Sequence, residues 1–443
     1  MAVLYLVLSI VLIILLTARY KIHPFIVLFL VALFYGICVG MPFDEIITSV
    51  NEGFGNTLGG IGLLIVFGVI VGAFLEHSGG AYKIAEKVLQ WTGPKRVPTA
   101  MGIIGWFVSI PVFADSGFIL LSPLNKSLSK RAKITLSGSA VALALGLTAS
   151  HTLVPPTPGP IAAAGILDAD LGLVMLLGVP ISAVALLAGL IYANKYVAKT
   201  YIDPIPEVDE IEIKKRLQKA PGAVKSSLPV FVPIILIVLQ SVINMFEVAP
   251  GNVFIEILLF LGEPMIALLI GMFLAFLLPK KLERSMLSTD GWVGDALKNA
   301  ASIILITGAG GIFGKVLQNS DIAAILGSAL SDINLSIWLP FLIAASIKTA
   351  QGSSTVALIT AASILTPMMG TLGFDTELEK AMVVIAIGAG SSVFSHANDS
   401  FFWVMTQLSG MDTKMGYRLF SLGTFVLGIT AVITLFLLYL IIV

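Results

Sequence analysis

Long apolar runs separated by short charged clusters dominate this chain of 443 residues. Stretches such as LYLVLSIVLIILL (4–16) and TFVLGITAVITLFLLYLIIV (424–443) carry no charge and are long enough to cross a bilayer. The pattern predicts ten spans, at roughly 2–18, 23–40, 59–75, 134–165, 170–193, 228–246, 253–278, 300–317, 381–408 and 420–442. Two further apolar segments, 97–125 and 336–366, do not fit as ordinary spans. The first has Lys95 and Arg96 before it and Lys126, Lys130, Arg131 and Lys133 after it. Basic flanks belong on the cytoplasmic side, so both ends lie inside, and two short arms meet at the polar tip PVFADSG. That predicts a re-entrant hairpin.

Composition agrees with an all-α polytopic membrane protein. Hydrophobic residues make up 57% and charged residues 12%, against about 25% charged in soluble domains. The balanced net charge argues against a nucleic-acid partner. The single cysteine, Cys38, excludes internal disulfides and a Cys-based metal site. No residue pattern calls for a cofactor or metal. No basic n-region precedes Arg19, so the first apolar run is expected to be a retained span.

Charge also orients the chain. With both termini outside, 23 of the 26 Lys and Arg residues fall in cytoplasmic segments or their edges, the exceptions being Lys315, Lys348 and Lys380. The proposed outer loops carry acids instead: Asp44, Glu45 and Glu52, then Asp168 and Asp170, then Asp375, Glu377 and Glu379. The chain then divides into a first repeat (1–198), a cytoplasmic linker (199–227) and a second repeat (228–443). Each repeat has three spans, a hairpin (97–125; 336–366), a broken helix (134–165; 381–408) and a final span, and the two are inverted. GVIVGAFLEHSG (68–79) aligns with GGIFGKVLQNSD (310–321), ADSG (114–117) with AQGSS (350–354), and SH at 150–151 recurs at 395–396. Inverted repeats with discontinuous helices are a secondary-transporter signature.

Four irregular segments at membrane depth carry the chemistry: FADSG, SHTLVPPTPGP, AQGSSTV and SHANDS. Open backbone there must be buried in protein or line a wet cavity, and freed helix N-termini attract anions. Asp115, beside Ser116 and Gly117, is an intramembrane acid and so a functional candidate, or else a tip acid solvated at the boundary. His151 and His396 hold equivalent places at the two breaks, and histidine titrates near neutral pH. Asn398 offers both donor and acceptor, while Asn398 and Asp399 could equally cap a helix. Gln351, Gly352, Ser353, Ser354 and Thr355 supply donors on a tight turn. Lys348 could pair with Asp399, neutralise a carboxylate, or snorkel to the surface. His23 and His77 are expected to be structural.

At SHTLVPPTPGP, FADSGFILLSPL, QGSSTVALITAA and FSHANDSFFW the chain resembles the gluconate permease family, proton symporters for gluconate and related sugar or hydroxy acids, within the ion-transporter superfamily. The resemblance runs nearly end to end. It implies a bacterial cytoplasmic-membrane carrier working as a dimeric elevator, with protons and an anionic acid as its small-molecule partners. It also places substrate between hairpin tips and breaks, at Asp115, Ser116, Gly117, His151, Thr152, Thr157, Gly159, Gln351, Gly352, Ser353, Ser354, Thr355, His396 and Asn398. Asp115, His151, His396 and Asp399 are candidates for carrying the proton, with Lys348 as charge partner. Many members have a second histidine where this chain has Thr157 and glutamate where it has Asp115, and their second hairpin often lacks a glutamine at the place of Gln351. These departures imply a pocket remodelled for a different acid, such as glycerate. A sodium-coupled carrier is the alternative within transport. A membrane-embedded enzyme is disfavoured, because no ligand motif such as two histidines one helical turn apart occurs.

Overall fold

A computed structural model describes residues 2–93, 96–205, 218, 220–245, 253–320 and 336–442. The described residues are helical throughout, with short irregular connections. Most of the expected linker core (206–217 and 219), residue 246 of the sixth expected span and the segment 321–335 lie outside the described residues.

The first half holds α1 (Ala2–Ile14), α2 (Pro24–Cys38), α3 (Phe43–His77), α4 (Gly80–Thr92), the arms α5 (Val97–Val108) and α6 (Ala114–Arg131), the broken pair α7 (Leu136–Leu153) and α8 (Pro158–Ile166), and α9 (Leu171–Lys195). The second half holds α10 (Ala223–Met245), α11 (Val253–Gly262), α12 (Pro264–Phe276), α13 (Trp292–Gln318), the arms α14 (Trp338–Gln351) and α15 (Ser354–Leu365), the broken pair α16 (Glu377–Ser391) and α17 (Ser400–Leu408), a single turn α18 (Thr413–Gly416), and α19 (Leu422–Ile442).

Six helices among the described residues are long and apolar enough to cross a membrane, or seven if α11 and α12, bent by 71°, form one span. The shortfall from ten has a local cause. α1 and α2 have 13 and 15 residues, and each arm of the second break is short. α3 departs the other way: Asp44, Glu45 and Glu52, expected in an outer loop, form the polar start of a 35-residue helix. Two of these acids sit in its first turn, where the helix dipole favours them, and Glu52 pairs with Lys315 of α13 at 3.3 Å.

Packing follows a paired scheme. α2 lies on α13 as α12 lies on α3; α5 lies on α7 as α14 lies on α16; α8 lies on α15 as α17 lies on α6. α3 and α13 lie along each other. The α7–α8 segment sits deepest, with 94% of its apolar window buried, so it is walled by protein rather than lipid. Small residues allow this: a Cβ at Gly146 would run into the backbone of Gly102, so α5 and α7 touch main chain to main chain.

Candidate functional site

Side-chain caps fix where α7, α15 and α17 start. Thr135 caps α7, Ser353 caps α15 by accepting from the Val356 amide at 3.3 Å, and Asp399 caps α17 by accepting from the Phe401 amide at 3.0 Å. At the far end of α16 from the second break, Thr376 and Glu379 form a capping box. Among the four irregular segments, the second tip and the second break start their helices with the Ser353 and Asp399 caps, while α6 and α8 start without a side-chain cap.

Between them lies one cavity of about 580 Å³, open mouth included. The first hairpin contributes Phe113, Ala114 and Asp115, and the first break contributes Thr148 and His151. The second hairpin contributes Lys348, Ser353, Ser354 and Thr355, and the second break contributes Ser392, Ser395, Asp399, Ser400 and Phe401. Ser400 Oγ donates to Asp115 Oδ2 at 3.2 Å, joining residues 285 apart in sequence.

The charges are arranged unequally. Lys348 is 2% exposed at its side chain and pairs with Asp399 at 2.7 Å, and it also donates to the Gly352 carbonyl. Asp399 accepts in addition from Ser395 Oγ at 2.5 Å. The cation therefore serves the second break, and of the three roles open to Lys348 the ion pair with Asp399 is the one formed. Asp115 has only the Ser400 hydroxyl, and its Oδ1 has no hydrogen-bond partner among the described residues. His151 Nδ1 likewise lacks one, with the Phe113 ring 6.0 Å away.

Several expected site residues lie beside the cavity rather than on its wall. Thr157 Oγ1 donates to the carbonyls of His151 at 3.0 Å and Val154 at 2.8 Å, closing the break on itself. Thr152 bonds back to Thr148 at 3.0 Å. Gly159 lies where α8 meets Leu358 and Thr355 of α15, and Gly117 lies against Leu147. Ser116 is half-buried on the first turn of α6. Gln351 Nε2 bonds to the Ser353 carbonyl. Gly352 adopts φ +97°, a conformation that favours glycine, with the Asn398 backbone where a Cβ would stand. His396 Nε2 meets the Thr349 carbonyl at 2.8 Å, and Asn398 Nδ2 donates to the carbonyls of Thr349 and Ala350 at 2.9 and 3.0 Å. Both satisfy the C-terminal carbonyls of α14. His23 caps α2 and His77 stacks on Trp292, as structural groups do.

Sequence reasoning missed Thr148, Ser392, Ser395 and Ser400. The available signal was the cluster of small hydroxyl residues just before and after each SH pair, TASH and SSVFSHANDS.

The GntP family permease model matches residues 1–441. The chain belongs to the GntP permease family. It is 35% identical to the high-affinity gluconate transporter of Escherichia coli over 90% of each chain. It is also 30% identical to the D-serine transporter DsdX of Escherichia coli, over 98% of this chain and 97% of that one. Among solved structures it is similar in fold to the MtrF efflux pump of Neisseria gonorrhoeae, with a TM-score of 0.67, 14% identity and 97% of both chains covered. This permease is therefore an all-helical transporter of the gluconate permease family, and the cavity is its candidate substrate site.

Proposed function

We propose that this permease takes up gluconate or a smaller hydroxy acid such as glycerate together with a proton, by moving one central site between the two membrane faces. The observation that carries this reading is the single cavity into which both hairpins and both breaks converge, lined by an acid with an unpartnered oxygen and a histidine with an unpartnered nitrogen. Ser353, Ser354 and Thr355 at the start of α15 supply donors for the substrate carboxylate. Asp115 carries the proton, and His151 contacts the substrate.

The paired packing of the two halves supports an inverted repeat and an elevator motion of the hairpins and breaks against α3 and α13. The distribution of Lys and Arg supports both termini outside a bacterial cytoplasmic membrane. We take the working unit to be a homodimer, as the resemblance to the superfamily implies.

A second reading has its own support. The one lysine on the cavity wall is bound to Asp399, so Asp115 can face a substrate ammonium, and one relative is a D-serine transporter. Uptake into proteoliposomes separates the readings. D-Gluconate or D-glycerate should accumulate under an inward proton gradient and remain flat under a sodium gradient. Sodium-driven accumulation would overturn proton coupling, and uptake of D-serine alone would move the substrate to the zwitterion.

A further inference from the structure

The cavity hydroxyls share one property. Each of four spends its single proton on the protein. Thr148 Oγ1 donates to the Ala144 carbonyl at 2.9 Å, and Ser392 Oγ to the Ala389 carbonyl at 2.7 Å. Ser395 Oγ donates to Asp399 and Ser400 Oγ to Asp115. A carbonyl oxygen or an ionised carboxylate oxygen only accepts, so in each pair the direction is fixed, for Ser400 as long as Asp115 is ionised. What these hydroxyls leave for a ligand is lone pairs. Asp115 Oδ1, without a partner among the described residues, adds another acceptor until Asp115 takes up the proton. The second hairpin is the opposite. Ser353 Oγ accepts from the Val356 amide, so its own proton remains available, and Ser354 and Thr355 follow on the first turn of α15.

We infer that the cavity is polarised: a wall of acceptors built on Thr148 and Ser392, with Ser400 and Asp115 joining it while that acid is ionised, reads hydroxyl donors on the substrate, while the second hairpin tip receives the carboxylate. This rests on the proposed carboxylate substrate and deepens it. The ligand class is a short acid with free hydroxyl groups away from its carboxylate. Thr148 and Ser392 become specificity-determining residues, one near the end of α7 and one at the C-cap of α16. Acids whose hydroxyls are replaced by acceptor-only groups are rejected, because acceptors then face acceptors and buried lone pairs go unpaired. A wall that must receive a proton from the ligand distinguishes a hydroxyl from a fluorine or methyl ether of similar shape.

The test is calorimetric binding to the purified full-length protein. D-Glycerate is compared with 2,3-difluoropropionate, and D-gluconate with its per-O-methylated form, alongside xylitol, which has donors and no carboxylate. A site that bonds a ligand hydroxyl should favour the hydroxy acid by at least about tenfold. Thr148→Val keeps the side-chain shape and should weaken the hydroxy acid while leaving the fluorinated acid unchanged, collapsing the ratio; Ser392→Ala should repeat the effect at the second helix. Equal affinity for hydroxylated and fluorinated acids in the unmodified protein would overturn the polarised wall, as would a ratio untouched by both substitutions. Xylitol separates this from failure of the carboxylate reading. If no acid binds but xylitol binds and is weakened by Thr148→Val, the wall stands and the carboxylate assignment falls. Silence of acids and xylitol alike overturns the wall.

Discussion

The two hairpin–break pairs share element order and the SH dipeptide, yet they are held together by different means. In the second, the tip is fastened to the break: Lys348 to Asp399, His396 and Asn398 to the last carbonyls of α14, and the Asn398 backbone against Gly352. In the first, the break is fastened to itself through Thr157, and the tip meets it through the ring contact of Phe113 with His151. The second pair consumes its charges, and the buried side-chain atoms it leaves without a partner among the described residues, Asn398 Oδ1, Ser336 Oγ and Thr360 Oγ1, lie off the cavity wall; the first leaves a carboxylate oxygen and an imidazole nitrogen on that wall. Matching motifs in two repeats thus mark matching backbone breaks and do not assign matching roles to the residues at them. Five single substitutions sharpen or break that contrast.

The largest effect is expected from Lys348→Ala. It leaves Asp399 buried without its cation, a change that costs about 3–5 kcal/mol when one partner of a buried pair is removed. Thermal unfolding in detergent should show the loss, and transport should cease. Lys348→Met combined with Asp399→Asn keeps the volume and the cap on the Phe401 amide, and should recover most of the stability. A double variant as unstable as Lys348→Ala would mean that the pair does not fasten the tip.

Asp115→Asn tests the other side of the comparison. One hydroxyl contact is altered and no ion pair is lost, so unfolding should shift by less than about 1 kcal/mol. Proton-driven accumulation should disappear while substrate exchange persists, if Asp115 is the protonated group. Accumulation that continues unchanged would pass the coupling role to His151.

The histidines give a smaller and more direct contrast. His151→Gln should raise KM roughly tenfold, since a hydrogen bond to a charged ligand contributes about 1.5–3 kcal/mol. His396→Ala should leave KM unaltered and cost about 0.5–1.5 kcal/mol of stability, one cap on α14, with Asn398 still covering Thr349. Equal KM effects at both positions would restore symmetric roles and defeat the contrast.

Much of this architecture was legible in the chain. Runs of apolar residues located the helices, and Pro155, Pro156, Pro158 and the glycine-serine clusters located the breaks, because proline and glycine act on the backbone where they stand. That the irregular segments are walled in protein or line a cavity followed from the rule that open backbone cannot face lipid, while their meeting around one site was what the family resemblance implied. Roles within the site were less legible. Whether Lys348 meets Asp399 or a ligand depends on a contact across 51 residues of sequence, which no local pattern encodes. Thr148 and Ser392 look like ordinary small residues of a packed helix, and only their place on the cavity wall distinguishes them from Ser150, which is fully buried.

Thr157→Val carries the smallest expected effect and tests the claim that the first break closes on itself. Thr157 is buried, and one hydroxyl proton is shared between the His151 and Val154 carbonyls, which lie at the end of α7 where helical partners run out. Valine preserves the shape and removes that donor, so the penalty is the loss of a shared hydrogen bond, about 1 kcal/mol. Because the bond stays within the break, the second hairpin should be untouched. Amide exchange should quicken around 151–157 and remain unchanged at 348–355, and Thr157→Ser should restore both stability and protection. Faster exchange at the second hairpin tip instead would mean that the two pairs are held as one unit through the α8–α15 contact, and that the difference between self-closed and cross-fastened breaks is not real.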